Sequence, residues 1–209
     1  MNQRTRVKIC GITSVDMARE AVKQGADAIG LVFYPPSPRC VSLQQATEIV
    51  ASLPAFVTAV GLFVNEQADE IKRIISKTRI NLLQFHGNEC PDYCASFDFP
   101  YIKAMRMSDD IDLFQQRSDY SRAQSLLLDT YRDGVPGGTG EVFDWDRIPA
   151  DLAGEIILAG GLEAENITRA IQRVKPYAVD VSGGVESSKG VKSPEQIRQF
   201  MQGVKIADQ

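Results

Sequence analysis

The chain has 209 residues, 44% of them hydrophobic and 24% charged, with a formal net charge of −4; this is a globular composition, long enough for one substantial core. The acidic balance, without any clustered Lys/Arg run or basic-aromatic ladder, excludes a nucleic-acid-binding role. The opening "MNQRTRVK" lacks the apolar stretch of a signal peptide, and no run reaches the apolar length of a membrane span, so a cytoplasmic protein is expected.

The first apolar burst, Val7–Ile12, contains "KICGIT". Alternation puts Val7 and Ile9 on one side of such a strand, and Lys8 and Cys10 on the other. Further bursts follow at Ala28–Phe33, Phe56–Phe63, Leu82–His86, Tyr101–Arg106, Ser125–Asp129, Glu155–Ala159 and Ala178–Ser182. Amphipathic segments such as "SVDMAREAVKQG", "SLQQATEIVASL", "EQADEIKRIISKT", "AENITRAIQRVK" and "SPEQIRQFMQGV" lie between them or after the last. Eight strand candidates, each followed by a helical segment, predict an α/β fold: a single, compact (β/α)8 TIM barrel spanning residues 1–209. Its helices after strands 4, 5 and 6 should be short, since "CPDYCASF", "DDIDLFQQRS" and "FDWDRIP" allow only one or two turns. An open doubly wound sheet is the rival, but no G-x-G-x-x-G follows the first strand.

Several strands end in residues unsuited to a core: Cys10, His86, Asp129, and the pair Asp180 and Ser182. In a barrel these carboxyl ends share one mouth, where active sites are built. Lys8 on the face of Cys10 is expected to favour the thiolate and to contact the substrate. A lysine inside a barrel needs an anion, and Asp180, on the neighbouring last strand, is either its partner or a direct ligand contact. Asp129 closes the apolar run "LLLD", where desolvation suits a carboxyl to act as a general acid. His86, the single histidine, is expected to line the site.

Gly160 and Gly161 after strand seven, with Ser182, Gly183 and Gly184 after strand eight, offer backbone donors and close approach to a phosphate. "FYPPSPRCVS" after strand two carries Arg39, a planar cation suited to carboxylate or phosphate. "RDGVPGGTGEVFDW" after strand six reads as a lid over the mouth. The four cysteines fit neither a disulfide scaffold nor zinc: Cys90 and Cys94 are spaced C-x3-C, while Cys10 and Cys40 belong to other segments. No metal is expected.

Taken together and in order, "KICGIT", "GLVFYPPSPRCV", "LLQFHG", "LLLDTYRDGVPGGTGEVFDW", "LAGGL" and "DVSGGVE" resemble the phosphoribosylanthranilate isomerases of tryptophan biosynthesis. The resemblance runs essentially the length of the chain. It implies an Amadori rearrangement of a phosphorylated aminosugar without metal or organic cofactor. It further implies Cys10 as general base, Asp129 as general acid, Arg39 on the anthranilate carboxylate, and the glycines of loops seven and eight on the phosphate. The family often reads "DVSSGVE"; Gly183 stands here in place of the second serine and leaves Ser182 as the hydroxyl. Cys40 occupies a position often held by an aromatic residue. A related or dual-specificity aminoaldose phosphate isomerase, and a catalytically silent phosphate-binding barrel, are the alternatives. The oligomeric state, monomer or homodimer, is left open.

Overall fold

The computed structural model describes residues 4–130 and 143–209. Parallel strands β1 (Arg6–Cys10), β2 (Ala28–Val32), β3 (Thr58–Phe63), β4 (Leu82–Phe85), β5 (Tyr101–Arg106), β6 (Ser125–Asp129), β7 (Ile157–Leu158) and β8 (Ala178–Val181) close into a barrel. Closure is made by β8 on β1, in a register that sets Lys8 beside Asp180. Helices α1 (Val15–Gln24), α2 (Leu43–Ala51), α3 (Ala68–Thr78), α4 (Pro91–Ala95), α5 (Leu113–Asp119), α6 (Ala150–Ala153), α7 (Ile167–Val174) and α8 (Pro194–Ala207) follow the strands in turn. The expected short elements are α4, α5 and α6; a single 3₁₀ turn at Trp145–Arg147 precedes α6.

Local chemistry fixes these boundaries. Ser14 accepts from the Met17 amide to start α1, and Gly25, at φ 105°, lets the chain leave it. Ser42 and Gln45 form a reciprocal capping box on α2. Ser193 starts α8 by accepting from the Gln196 amide, with Pro194 at a position that needs no amide donor.

Two apolar layers result from the alternation along each strand. Ile9, Ile29, Leu83, Phe85, Leu126, Leu128 and Val179 face the helices and form the larger core. Ile102, Ala104, Leu127, Ile157 and Ala178 form a second, separate cluster inside the barrel. Lys8, Gln84 and Asp180 are buried as well, on the interior side of their strands. The barrel therefore has an apolar plug beneath a polar mouth.

Three sequence expectations need correction. Strand three begins at Thr58, not Phe56, because Phe56 sits in a turn at φ 70° with its ring fully exposed. Strand seven shrinks to two residues, since Glu155 and Ile156 complete the turn out of α6 through bonds to Leu152 and Ala153. After β8 the chain folds into an unforeseen antiparallel hairpin, β9 (Glu186–Ser188) and β10 (Val191–Lys192). Residues 132–142 of the expected lid lie outside the described residues; its end, Phe143 and Trp145, belongs to the packed core. Among the described residues no helix is long and apolar enough to cross a membrane.

Ile9 is fully buried on the helix-facing side of β1. Ile9→Ala should lower stability by about 2–5 kcal/mol, read as a shift in the urea unfolding midpoint, without altering any cavity-lining side chain.

Candidate active site

The carboxyl ends of the strands enclose a cavity of about 750 Å³, lined by Cys10 from β1, His86 after β4, Asp129 from β6, and Asp180 with Ser182 from β8 and the residue beyond it. Arg39, Gly160, Gly161, Gly183 and Gly184 line it too. Lys8 does not. Its Nζ turns onto Asp180 Oδ1 at 2.8 Å, and both side chains are over nine-tenths buried. The lysine expected to touch a ligand thus lies behind the wall, held by the partner that the sequence proposed. Burial opposes its charge, but Asp180, and less strongly Cys10, more than offset this and hold its pKa above the ordinary lysine value.

Cys10 faces Gly30 on β2, with which it is in register. A Cβ on Gly30 would stand 2.7 Å from the Cys10 Sγ and 3.1 Å from Lys8 Nζ, so glycine there makes the room that the sulfur occupies. The hydroxyl of Ser182 donates to the Cys10 carbonyl at 3.1 Å, which ties the first strand to the glycine-rich loop of the eighth. Lys8 favours the thiolate in the expected sense, but an opposing effect outweighs it. Burial pushes the Cys10 thiol above its ordinary pKa; Lys8 and Lys192 pull it down and Asp180 pushes it up, and burial prevails.

Across the cavity, Asp129 Oδ1 accepts from the Thr130 amide at 2.9 Å. Its Oδ2 lies 3.2 Å from His86 Nε2, within ion-pair distance but off the direction a hydrogen bond needs, since Nε2 has no aligned partner. His86 Nδ1 stands 2.9 Å from the Gln84 amide nitrogen. The amide donates there, so the neutral ring carries its proton on Nε2, facing the carboxylate. The sequence offered His86 as lining; the structure sets it against the candidate acid.

Gly160 and Gly161 adopt φ 83° and 61°, conformations that side chains rarely tolerate. A Cβ on Gly160 would stand 2.3 Å from the Thr130 hydroxyl. An isolated parallel bridge between Glu163 and Gly184 ties loop seven to loop eight, so both glycine pairs bound one concave surface.

Arg39 departs most from expectation. Its guanidinium is already gripped by Glu186, Nε on Oε1 at 2.7 Å and Nη2 on Oε2 at 2.8 Å. Glu186 lies on the hairpin that the sequence reading did not foresee. That reading also missed an apolar sector of the mouth, where Val32, Tyr34, Leu62 and Val64 gather around Cys10. Their spacing at i, i+2 was a signal, but it is the signal of any strand core.

A closed parallel barrel with a thiol, a carboxyl and glycine-lined loops facing one cavity at its carboxyl mouth is the architecture of a (β/α)8-barrel enzyme. The family profile described as N-(5'phosphoribosyl)anthranilate (PRA) isomerase matches residues 7–203. The chain is 56% identical over 202 residues to the N-(5'-phosphoribosyl)anthranilate isomerase of Chromohalobacter salexigens, covering 97% of this chain and 95% of that one. It is 55% identical over 200 residues to the enzyme of the same name from Pseudomonas fluorescens, covering 96% and 95%. Among solved structures, phosphoribosyl anthranilate isomerase from Thermotoga maritima is similar at TM-score 0.88 and 40% identity, over 96% of this chain and 98% of that one. A phosphoribosyl anthranilate isomerase in complex with reduced 1-(o-carboxyphenylamino)-1-deoxyribulose 5-phosphate is similar at TM-score 0.84 and 38% identity, over the same shares. The chain belongs to the N-(5'-phosphoribosyl)anthranilate isomerase family, and is therefore an isomerase.

Two outcomes follow from the site's electrostatics. Asp180→Ala strands a buried lysine and should cost about 3–5 kcal/mol, whereas Lys8→Met with Asp180→Leu should recover most of that loss in chemical denaturation. Iodoacetamide labelling followed residue by residue should show Cys10 in the free enzyme reacting with a midpoint above the ordinary thiol pKa of about 8.5. Cys94, pushed up to about 12 by burial, should likewise label only in strongly alkaline solution.

Proposed function

We propose that the chain, acting as a single cytoplasmic domain, catalyses the Amadori rearrangement of N-(5-phosphoribosyl)anthranilate to 1-(2-carboxyphenylamino)-1-deoxyribulose 5-phosphate in tryptophan biosynthesis. The observation that carries this reading is the placement of Cys10 and Asp129 on β1 and β6, facing one cavity bounded by glycine-rich loops.

The substrate has three parts, and the mouth offers a sector for each. The glycines of loops seven and eight receive the phosphate through backbone amides, with Ser182 beside them. Val32, Tyr34, Leu62 and Val64 give the aromatic ring an apolar wall. Arg39 meets the ring's carboxylate with the part of its guanidinium outside the Glu186 fork. The sugar then spans the space between thiol and carboxyl.

Chemistry begins at Asp129. Protonated, it donates to the furanose ring oxygen as the C1–O bond breaks, and the nitrogen lone pair forms a protonated Schiff base. His86 Nε2, 3.2 Å from Asp129 Oδ2, steadies the carboxylate that remains. Cys10, as thiolate, removes the C2 proton, and the C2–H electrons move toward the iminium to give an enolamine. This tautomerises to the aminoketose. Burial disfavours ionisation of the resting thiol. The cation forming at C1 lowers its proton affinity, and the thiol proton passes to solvent at the mouth before the sulfur takes the C2 proton, while Asp129 is reprotonated from solvent. The reaction redistributes protons within one molecule, so no cofactor is invoked.

Each proton transfer is expected to contribute about 10²–10⁴-fold. Cys10→Ala and Asp129→Ala should each lower kcat by a factor in that range with KM little changed, followed by the fluorescence loss of enzymatically generated phosphoribosylanthranilate. Near-normal turnover in either variant would assign that role to another group.

A further inference from the structure

The mouth contains a charged cluster that the mechanism above uses only at its edge. Glu186 Oε1 accepts from Arg39 Nε at 2.7 Å and from Lys192 Nζ at 2.7 Å; Oε2 accepts from Arg39 Nη2 at 2.8 Å and from the Gly190 amide at 3.3 Å. Lys192 Nζ also donates to the Ser182 carbonyl at 3.0 Å. The Glu186 and Lys192 side chains are only 4% and 1% exposed, while Arg39 retains 15% at the cavity wall. Two cations share one carboxylate, so the cluster holds one positive charge in excess.

Such a charge is costly to bury without a further anion, and the open side of the cluster is the cavity. The partners come from separate parts of the chain, with Arg39 on the loop after β2 and Glu186 and Lys192 on the hairpin after β8. A long, unrestrained arginine loses many rotamers when it binds a ligand. One clamped through Nε and Nη2 has lost them already and presents its remaining donors in a fixed plane.

We propose that Glu186 is a positioning residue that holds the Arg39 guanidinium for the substrate's aryl carboxylate, and that Lys192 ties this clamp to the loop that holds the phosphate. The proposal rests on the reading of Arg39 as the carboxylate's partner. Glu186 touches the arginine rather than the reacting atoms, so its effect falls on binding and on ligand discrimination. The distance between the carboxylate site and the phosphate site is thereby set by one rigid link, through Ser182, Lys192 and Glu186.

The test compares two reduced aminoketose phosphates, one with the ortho-carboxylate and one without it, by calorimetric Kd, with kcat and KM measured alongside. The unmodified enzyme should favour the carboxylate-bearing ligand. Glu186→Gln and Glu186→Ala should erode that preference about 10- to 100-fold, raise KM correspondingly, and leave kcat and the carboxylate-free Kd within about threefold. In an Arg39→Ala background, Glu186→Ala should change the preference no further. If Glu186→Ala alone fails to fold, Glu186→Ala with Lys192→Met removes the stranded cation and gives the same readout. Equal weakening of both ligands would reduce Glu186 to scaffold and overturn the proposal. So would tighter binding of the carboxylate-bearing ligand, the mark of a competitor for Arg39. An unmodified enzyme without preference, or a preference that survives Arg39→Ala, would overturn the reading of Arg39 and the proposal with it.

Discussion

A parallel sheet that closes on itself must meet its own first strand in one register, and here a buried charge pair stands at that seam. Lys8 on β1 and Asp180 on β8 are direct neighbours, joined at 2.8 Å with both side chains withdrawn from water. Each charge alone would be heavily penalised inside the barrel, and a slip of either strand by one residue would turn its charge to the opposite face and strand the other. The pair thus ties barrel closure to the placement of chemistry. Two residues beyond Lys8 is Cys10, and two residues beyond Asp180 is Ser182, whose hydroxyl bonds the Cys10 carbonyl. The thiol and the start of the eighth loop are set by the same register.

The remaining sectors of the mouth are built on elements with little freedom. Gly30 vacates the space the sulfur fills. Asp129 is fixed by the next amide along the chain and stands beside a histidine that Gln84 orients. The cradle of loops seven and eight is joined across by the Glu163–Gly184 bridge. Behind the His86 turn, Lys103 and Glu89 form another buried ion pair, at 3.1 Å, and Lys103 also donates to the Gly87 carbonyl at 2.7 Å. That clamp holds the backbone beside the histidine while touching nothing in the cavity.

Much of this was legible along the chain because its signals are local. A polar residue that ends an apolar run, as in "LLLD", marks a strand end without any knowledge of the fold. Strict alternation joined Lys8 to Cys10 and placed both inside. What was hidden depends on distance or on competition. Arg39 and Glu186 are 147 residues apart, and "ESSKGVK" is too short and polar to announce a hairpin. Val32 and Leu62 carry the same pattern whether they pack a core or face a ligand. The protonation of Cys10 is the clearest case: its neighbour lysine was visible, but the opposing effect of burial exists only once the barrel has formed.

That last feature bears on the enzyme's durability. Peroxide attacks thiolates far faster than thiols, and attack needs access. A sulfur kept protonated by its enclosure, and only 5% exposed as a residue, is a slow target for conversion to sulfenic acid between turnovers. In the proposed reaction the sulfur turns anionic only once a cation has formed in a filled mouth, so the group most vulnerable to oxidative damage would be reactive chiefly while it is shielded from oxidants.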